Sequence, residues 1–415
     1  MAYHTNGQLN DATWKKARCM THDSERIERN ARAIREAGLD ALICGLPSNV
    51  LLLSAGYWPI VGTSLAIANG EGKVALVVPE DESELARKMG AAEVFTYKPA
   101  SLDKLQTVVD AIVQPLAKAA SAIGVSADRI GCDVGEALQP ASYISMHLFS
   151  GDLREIIVRA LPGCSVETAK DLLTRLRSVC TSNEIERVRQ ACRDAQEAFE
   201  AAGVALRPDQ TEITLASRAR VFLYRGDQGR DQQHLAVMSG ICSASAYGAY
   251  AISSDRVMHP GELVMVHCNS NIAGYWTDIT RTFCLGKPTE QQRQMYDAIA
   301  AAREAALKAI RPGARAADVD RAARQVLSDR GFGDQFKHAT GHGVGYAAID
   351  HNAHPRLHPQ SPDLLEPGMV FNVEPAIYIE NTQGMRHCDM VTVTDSGAEV
   401  LTPFLSEPRE MILGN

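Results

Sequence analysis

Two segments far apart in this chain are built alike. HPGELVMVH ends at His267 and EPGMVFNVE ends at Glu374, and in each the proline stands seven residues before that last position. Pro-Gly punctuates a turn, and the residues after it alternate as a strand does. Leu263, Met265 and His267 then share one strand face, and Val370, Asn372 and Glu374 share another. Each segment has a polar partner downstream that reads as its back-strand, YWTDITRTF with Asp278 and MRHCDMVTV with Cys388. Helical patterns at 289–310 and 316–329 lie between the two halves, separated by Pro312-Gly313. A hairpin–helices–hairpin order of this kind predicts a pseudo-twofold α+β domain whose polar pairs meet at its centre.

The chain ahead of this repeat reads differently. SERIERNARAIREAGL carries Ile27, Ala31, Ile34 and Leu39 at helical spacing, with Gly38 as its stop. DALICGL, KVALVVP and RIGCDVG read as buried strands, and VVDAIVQPLAKAA as another helix. Strands alternating with helices predict a smaller α/β domain. Thr181-Ser-Asn-Glu184 is a capping box that opens a long helix with Ile185, Val188, Cys192, Ala195 and Phe199 on one stripe. The expected domains are therefore 1–175 and 176–415. A length of 415 residues suits two of them.

The net charge of −8, with no basic stripe, argues against a nucleic-acid partner. The ten cysteines are scattered and form no CxxC pair, which predicts reduced thiols and a cytosolic setting. The polar opening MAYHTNGQLNDATWKK predicts no signal peptide, and no apolar run reaches the ~18 residues of a membrane span.

The chemistry concentrates in the second domain. His342 stands in GHGVG, where flanking glycines permit close backbone approach. Of the loop histidines His351, His354 and His358, only His351 is expected beside it. Glu374, in the apolar run VFNVEPAIY, must be paired, metal-bound or protonated. Arg386 is its obvious ionic partner.

The ordered set GYWTDITRTF, GHGVG, LEPGMVFNVEPAIY and GMRHCDMVTVT resembles the creatinase/prolidase/methionine aminopeptidase family. LDALICGLPSNVLLLSAGYWP and SNEIERVRQACRDA resemble its two-domain members, the creatinases and Xaa-Pro peptidases. The resemblance implies a pita-bread catalytic domain behind a smaller α/β domain, and a homodimer acting on a small molecule. It also implies five ligand positions, Asp, Asp, His, Glu and Glu in the metal-dependent members. Here they hold His267, Asp278, His342, Glu374 and Cys388, so the first and last depart from the pattern. The histidine that family peptidases carry before the first hairpin is missing too, and SAYGAYAISSDR offers tyrosines instead, Tyr250 among them.

Losing two carboxylates argues against a two-metal centre. Two states remain open. One holds a single transition metal on some of those five residues, with zinc or iron favoured over manganese by the mixed N, O and S donors. The other needs no metal, as in creatinase. Glu374 and His342, with His351 beside them, would then work as acid and base. Asp278, Arg386, Tyr250 and Trp58 would bind substrate. The leading expectation is a creatinase-like hydrolase of a C–N bond in a small nitrogen-containing metabolite. The alternatives are an Xaa-Pro aminopeptidase or dipeptidase with a modified metal site, a lyase acting by proton abstraction, and a non-catalytic binding module.

Overall fold

The computed structural model describes residues 23–60, 62–89, 93–99, 106–126, 128–135, 152–224, 234–246 and 252–413. They divide into two compact units, the second taking over at Lys170. The first holds a six-stranded sheet of β1 (Ala41–Cys44), β2 (Leu65–Asn69), β3 (Val74–Pro79), β4 (Glu93–Tyr97), β5 (Arg129–Cys132) and β6 (Ser165–Thr168), in the order β4-β3-β2-β1-β5-β6. The sheet is mixed: β1 runs antiparallel to β2 and parallel to β5. The helix Val108–Ala122, opened by a capping box of Thr107 and Asp110, packs Ile112 and Leu116 into the same core as Ile43, Ile67 and Val77. The first helix runs Ser24–Glu36 and ends before Gly38, whose φ of 63° suits glycine. A helix at Pro47–Ser54 was not expected, because PSNVLLLS is buried on every side and shows no helical period.

In the second unit the helices Ser182–Ala205, Glu290–Ala309 and Ala316–Asp329 form where capping and periodicity place them. Thr181 and Glu184 cap the first reciprocally. The strands are β7 (His234–Ser239), β8 (Leu263–Asn269), β9 (Asn271–Ile272), β10 (Tyr275–Trp276), β11 (Ile279–Leu285), β12 (Val370–Val373), β13 (Ala376–Ile379), β14 (Gln383–Arg386), β15 (Asp389–Thr394), β16 (Gly397–Val400) and β17 (Ile412–Leu413). They form sheets β17-β11-β8-β7 and β12-β15-β16, with the ribbons β10-β9 and β13-β14 apart.

Each half of the repeat is thus strand, small hairpin, strand. The back-strands expected as continuous, YWTDITRTF and MRHCDMVTV, are both broken. The first breaks at Thr277-Asp278 and the second at His387-Cys388. The strand leading to Glu374 likewise stops at Val373, because Pro375 has no N–H to continue a ladder. A backbone bridge between Thr280 and Cys388 joins the two halves, with N···O distances of 3.0 and 3.3 Å.

Beneath that bridge lies a fully buried ion pair, Arg281 with Asp389, at 2.7 Å. Arg281 also donates to the carbonyls of Thr280, Cys388, Thr402 and Phe404, and Arg303 reaches the other oxygen of Asp389. A buried guanidinium needs this degree of satisfaction. The cluster pins the 388–389 turn and the 402–404 segment to β11.

Candidate active site

The breaks in the ladders are where the polar groups gather. Asp278 stands just before β11, Glu374 just after β12, and Cys388 just before β15, all at least nine-tenths buried. His267 comes from inside β8, opposite Thr280 of β11. His342 arrives on the GHGVG segment, which lies along β12 through a bridge between Gly343 and Phe371. The fit there is close. A Cβ on Gly341 would lie 2.0 Å from the carbonyl oxygen of Asn372, so only glycine allows the approach. Asn372 in turn accepts the His342 N–H at 2.7 Å and gives its own N–H to the His342 carbonyl.

His342 donates from Nδ1 to the Gly343 carbonyl, 3.0 Å away. That leaves Nε2 turned on three groups: the Asn372 amide at 3.1 Å, Asp278 Oδ2 at 3.4 Å and Glu374 Oε1 at 3.7 Å. Two carboxylates facing one nitrogen favour a positive charge between them. Burial alone pushes the imidazolium down, but Asp278 and Glu374 outweigh it and hold His342 up at about 9. Burial pushes Asp278 up, and the two histidines reverse that and leave it at about 2.

On the other side, Arg386 donates from Nε to Thr280 Oγ1 at 3.0 Å and from Nη2 to His267 Nδ1 at 3.1 Å. Its Nη1 faces the Ala246 carbonyl and the Tyr378 hydroxyl. It stands 3.9 Å from Glu374 Oε2, a looser pairing than the sequence suggested. Because a guanidinium only donates, His267 Nδ1 is an acceptor, and Nε2–H donates to Asn269 Oδ1 at 3.2 Å. Burial, reinforced by Arg386 and opposed by Asp278, takes His267 down to about 3, so its ring is neutral. The Cys388 thiol donates to the Asp278 carbonyl at 3.0 Å. Burial, then Asp278 and Glu374, push its pKa well above the ordinary thiol value.

His267, Asp278, His342, Glu374, Arg386 and Cys388 therefore meet at one place. His351 is exposed and sets its ring edge-on to His342, with centroids 5.2 Å apart. His354 turns away to Asp363 at 3.0 Å. Trp58 is buried in the first unit, and Tyr250 lies outside the described residues. Sequence reasoning missed Asn372, Thr280, Tyr378 and His338. Asn372 was legible as a neighbour of Glu374 on the β12 face. Nothing local marks Tyr378 or His338, whose hydroxyl and Nε2 meet at 3.1 Å.

Among the described residues, no three or more His, Cys, Asp and Glu side chains stand gathered around an ion position. Asp278, His342 and Glu374 come nearest. A tetrahedral ion bound at about 2.0–2.2 Å keeps its donors about 3.3 Å apart. The Asp278–His342 and His342–Glu374 separations of 3.4 and 3.7 Å need only small rotations to reach that. A two-metal centre does not fit. Only Asp278 and Glu374 bring carboxylates, the Cys388 proton is engaged, and the free lone pair of His267 already takes Arg386.

Residues 186–395 match the model of Metallopeptidase family M24, and residues 26–179 that of the Creatinase/Prolidase N-terminal domain. The chain is 28% identical over 378 residues to an Xaa-Pro dipeptidase of Pyrococcus furiosus, covering 91% of this chain and 97% of that one. The solved prolidase from Pyrococcus furiosus superposes with a TM-score of 0.71 at 27% identity, covering 90% and 98%. An Xaa-Pro dipeptidase from Bacillus anthracis does so with 0.75 at 25% identity, covering 94% and 99%. The expected pita-bread catalytic domain with its α/β domain ahead is the architecture found.

Proposed function

This chain belongs to metallopeptidase family M24, a family of hydrolases acting on carbon–nitrogen bonds, and from that premise we propose that it is a dipeptidase of the Xaa-Pro type with a reduced metal centre. One observation carries the chemistry: His342 Nε2 stands within 3.4 Å of Asp278 and 3.7 Å of Glu374 in a buried pocket. The substrate class is supported by relatives named Xaa-Pro dipeptidase that align over nine-tenths of the chain. That support ranks the dipeptidase reading above the creatinase-like one.

Asp278, His342 and Glu374 are the residues that would hold an ion, which when bound lowers the pKa of a water molecule. Glu374 would take a proton from the attacking water, a role supported by its Oε2 having no close hydrogen bond among the described residues, with Arg386 3.9 Å off. Glu374, having taken that proton, would pass it to the leaving nitrogen, because His342, a ligand through Nε2, keeps its one ring proton on the Gly343 carbonyl. Arg386 and Tyr378 line the side opposite His342 and orient the substrate.

The test is hydrolysis of Ala-Pro and Gly-Pro, against Ala-Ala and creatine, by wild type and Glu374→Gln. Preferred turnover of the proline dipeptides, lowered about 10²–10⁴-fold in the variant, is expected. Turnover of creatine with none of Ala-Pro would overturn the assignment, and an unchanged Glu374→Gln rate would misplace the base.

A further inference from the structure

We infer that the Arg386 guanidinium is this site's built-in second cation, so that the centre takes one metal ion and not two. The inference deepens the reading above by fixing how much metal that site holds, and it depends on the site rather than on the substrate. The side chains that stand where a second ion would find ligands of its own are already engaged. His267 has one lone pair, on Nδ1, and it accepts from Arg386 Nη2 at 3.1 Å. Its other nitrogen donates to Asn269. Thr280 Oγ1 accepts from Arg386 Nε at 3.0 Å. The Cys388 thiol gives its proton to the Asp278 carbonyl, while Sγ faces the Asn372 amide at 3.5 Å.

The guanidinium is fixed there, not merely near. Arg386 is 7% exposed, and its backbone N–H and C=O both bond the Thr282 hydroxyl, at 3.1 and 2.9 Å. Of the five N–H groups that an arginine carries, four find partners among the described residues: Thr280, Ala246, Tyr378 and His267. The remaining one, on Nη2, has no partner among the described residues and is available to a substrate oxygen. A fixed positive charge among Asp278, Glu374 and His267 supplies part of what a second ion would supply. It also repels one.

The experiment is metal titration of purified, chelator-stripped protein with manganese, zinc and cobalt, read by calorimetry and by elemental analysis after desalting. One ion per chain is expected for the wild type, whichever metal binds best. Two ions, or none, would overturn the inference. The variant His267→Asp/Cys388→Glu removes the acceptor of Arg386 and the thiol and adds two carboxylates. It is expected to rise to two ions per chain, and a stoichiometry unchanged from wild type would overturn the inference. If that variant does not fold, the wild-type titration decides alone. No substrate enters the measurement. A chain that binds one ion yet ignores Ala-Pro refutes the dipeptidase reading only, and one that cleaves Ala-Pro with two ions refutes only this one.

Discussion

Replacing Asp278 by Asn should collapse the raised pKa of His342 without moving the ring. Asp278 Oδ2 lies 3.4 Å from His342 Nε2. Two unit charges at that distance attract by about 5 kcal/mol at an effective dielectric of about 20. Both charges are spread over two atoms, so roughly half of that acts, and about 1.4 kcal/mol moves a pKa by one. Loss of the carboxylate is therefore expected to bring His342 from about 9 to about 7, with Glu374 still holding it above what burial alone would give. The assay is an NMR titration of the His342 ring proton in metal-free wild type and Asp278→Asn, with His342→Gln to assign the signal. Stability obeys the same linkage. A histidine whose folded pKa is raised stabilises the fold fully below its unfolded value of about 6.5, and that stability is lost as pH climbs through the folded value. Metal-free wild type should thus lose stability between about pH 6.5 and 9, and the variant should lose little of it over that window. A His342 pKa that stays near 9 in Asp278→Asn would refute the reasoning, because no other described charge sits as close to Nε2.

Two further outcomes test the scaffold. Arg281→Met should cost about 3–5 kcal/mol, because Asp389 stays buried with one partner fewer and four carbonyls lose a donor; chemical denaturation followed at Trp276 measures it, and a loss under about 1 kcal/mol would contradict the pinning role. Gly341→Ala should destabilise the second unit by about 1–3 kcal/mol or more and lower activity, since the new Cβ meets the Asn372 carbonyl at 2.0 Å; unchanged melting and turnover would show that the contact yields.

How much of this was legible in the sequence depends on how local each signal is. The helices Ser182–Ala205, Glu290–Ala309 and Ala316–Asp329 announce themselves through caps and an apolar stripe, both written within a few residues. Pro47–Ser54 does not, because an element buried all round loses its period. The convergence of His267, Asp278, His342, Glu374 and Cys388 was readable because the two Pro-Gly strands repeat in register. Their hydrogen-bond roles were not. That the His267 lone pair belongs to Arg386 results from β14 crossing near β8, a tertiary fact with no trace in HPGELVMVH. The expected Glu374–Arg386 ion pair came from residue type alone. At 3.9 Å it yields to Thr280, His267 and Tyr378, which offer the guanidinium shorter bonds.

The Thr280–Cys388 bridge that stitches the two halves is made by main-chain atoms only. Position 388 can therefore carry a thiol, a carboxylate or an alcohol without unpicking the seam, while Arg281 grips its carbonyl from behind at 2.7 Å. Evolution can swap the reagent at that spot while the frame stands, so gain of a second ion here asks for new side chains at positions 267 and 388 and not for a new fold.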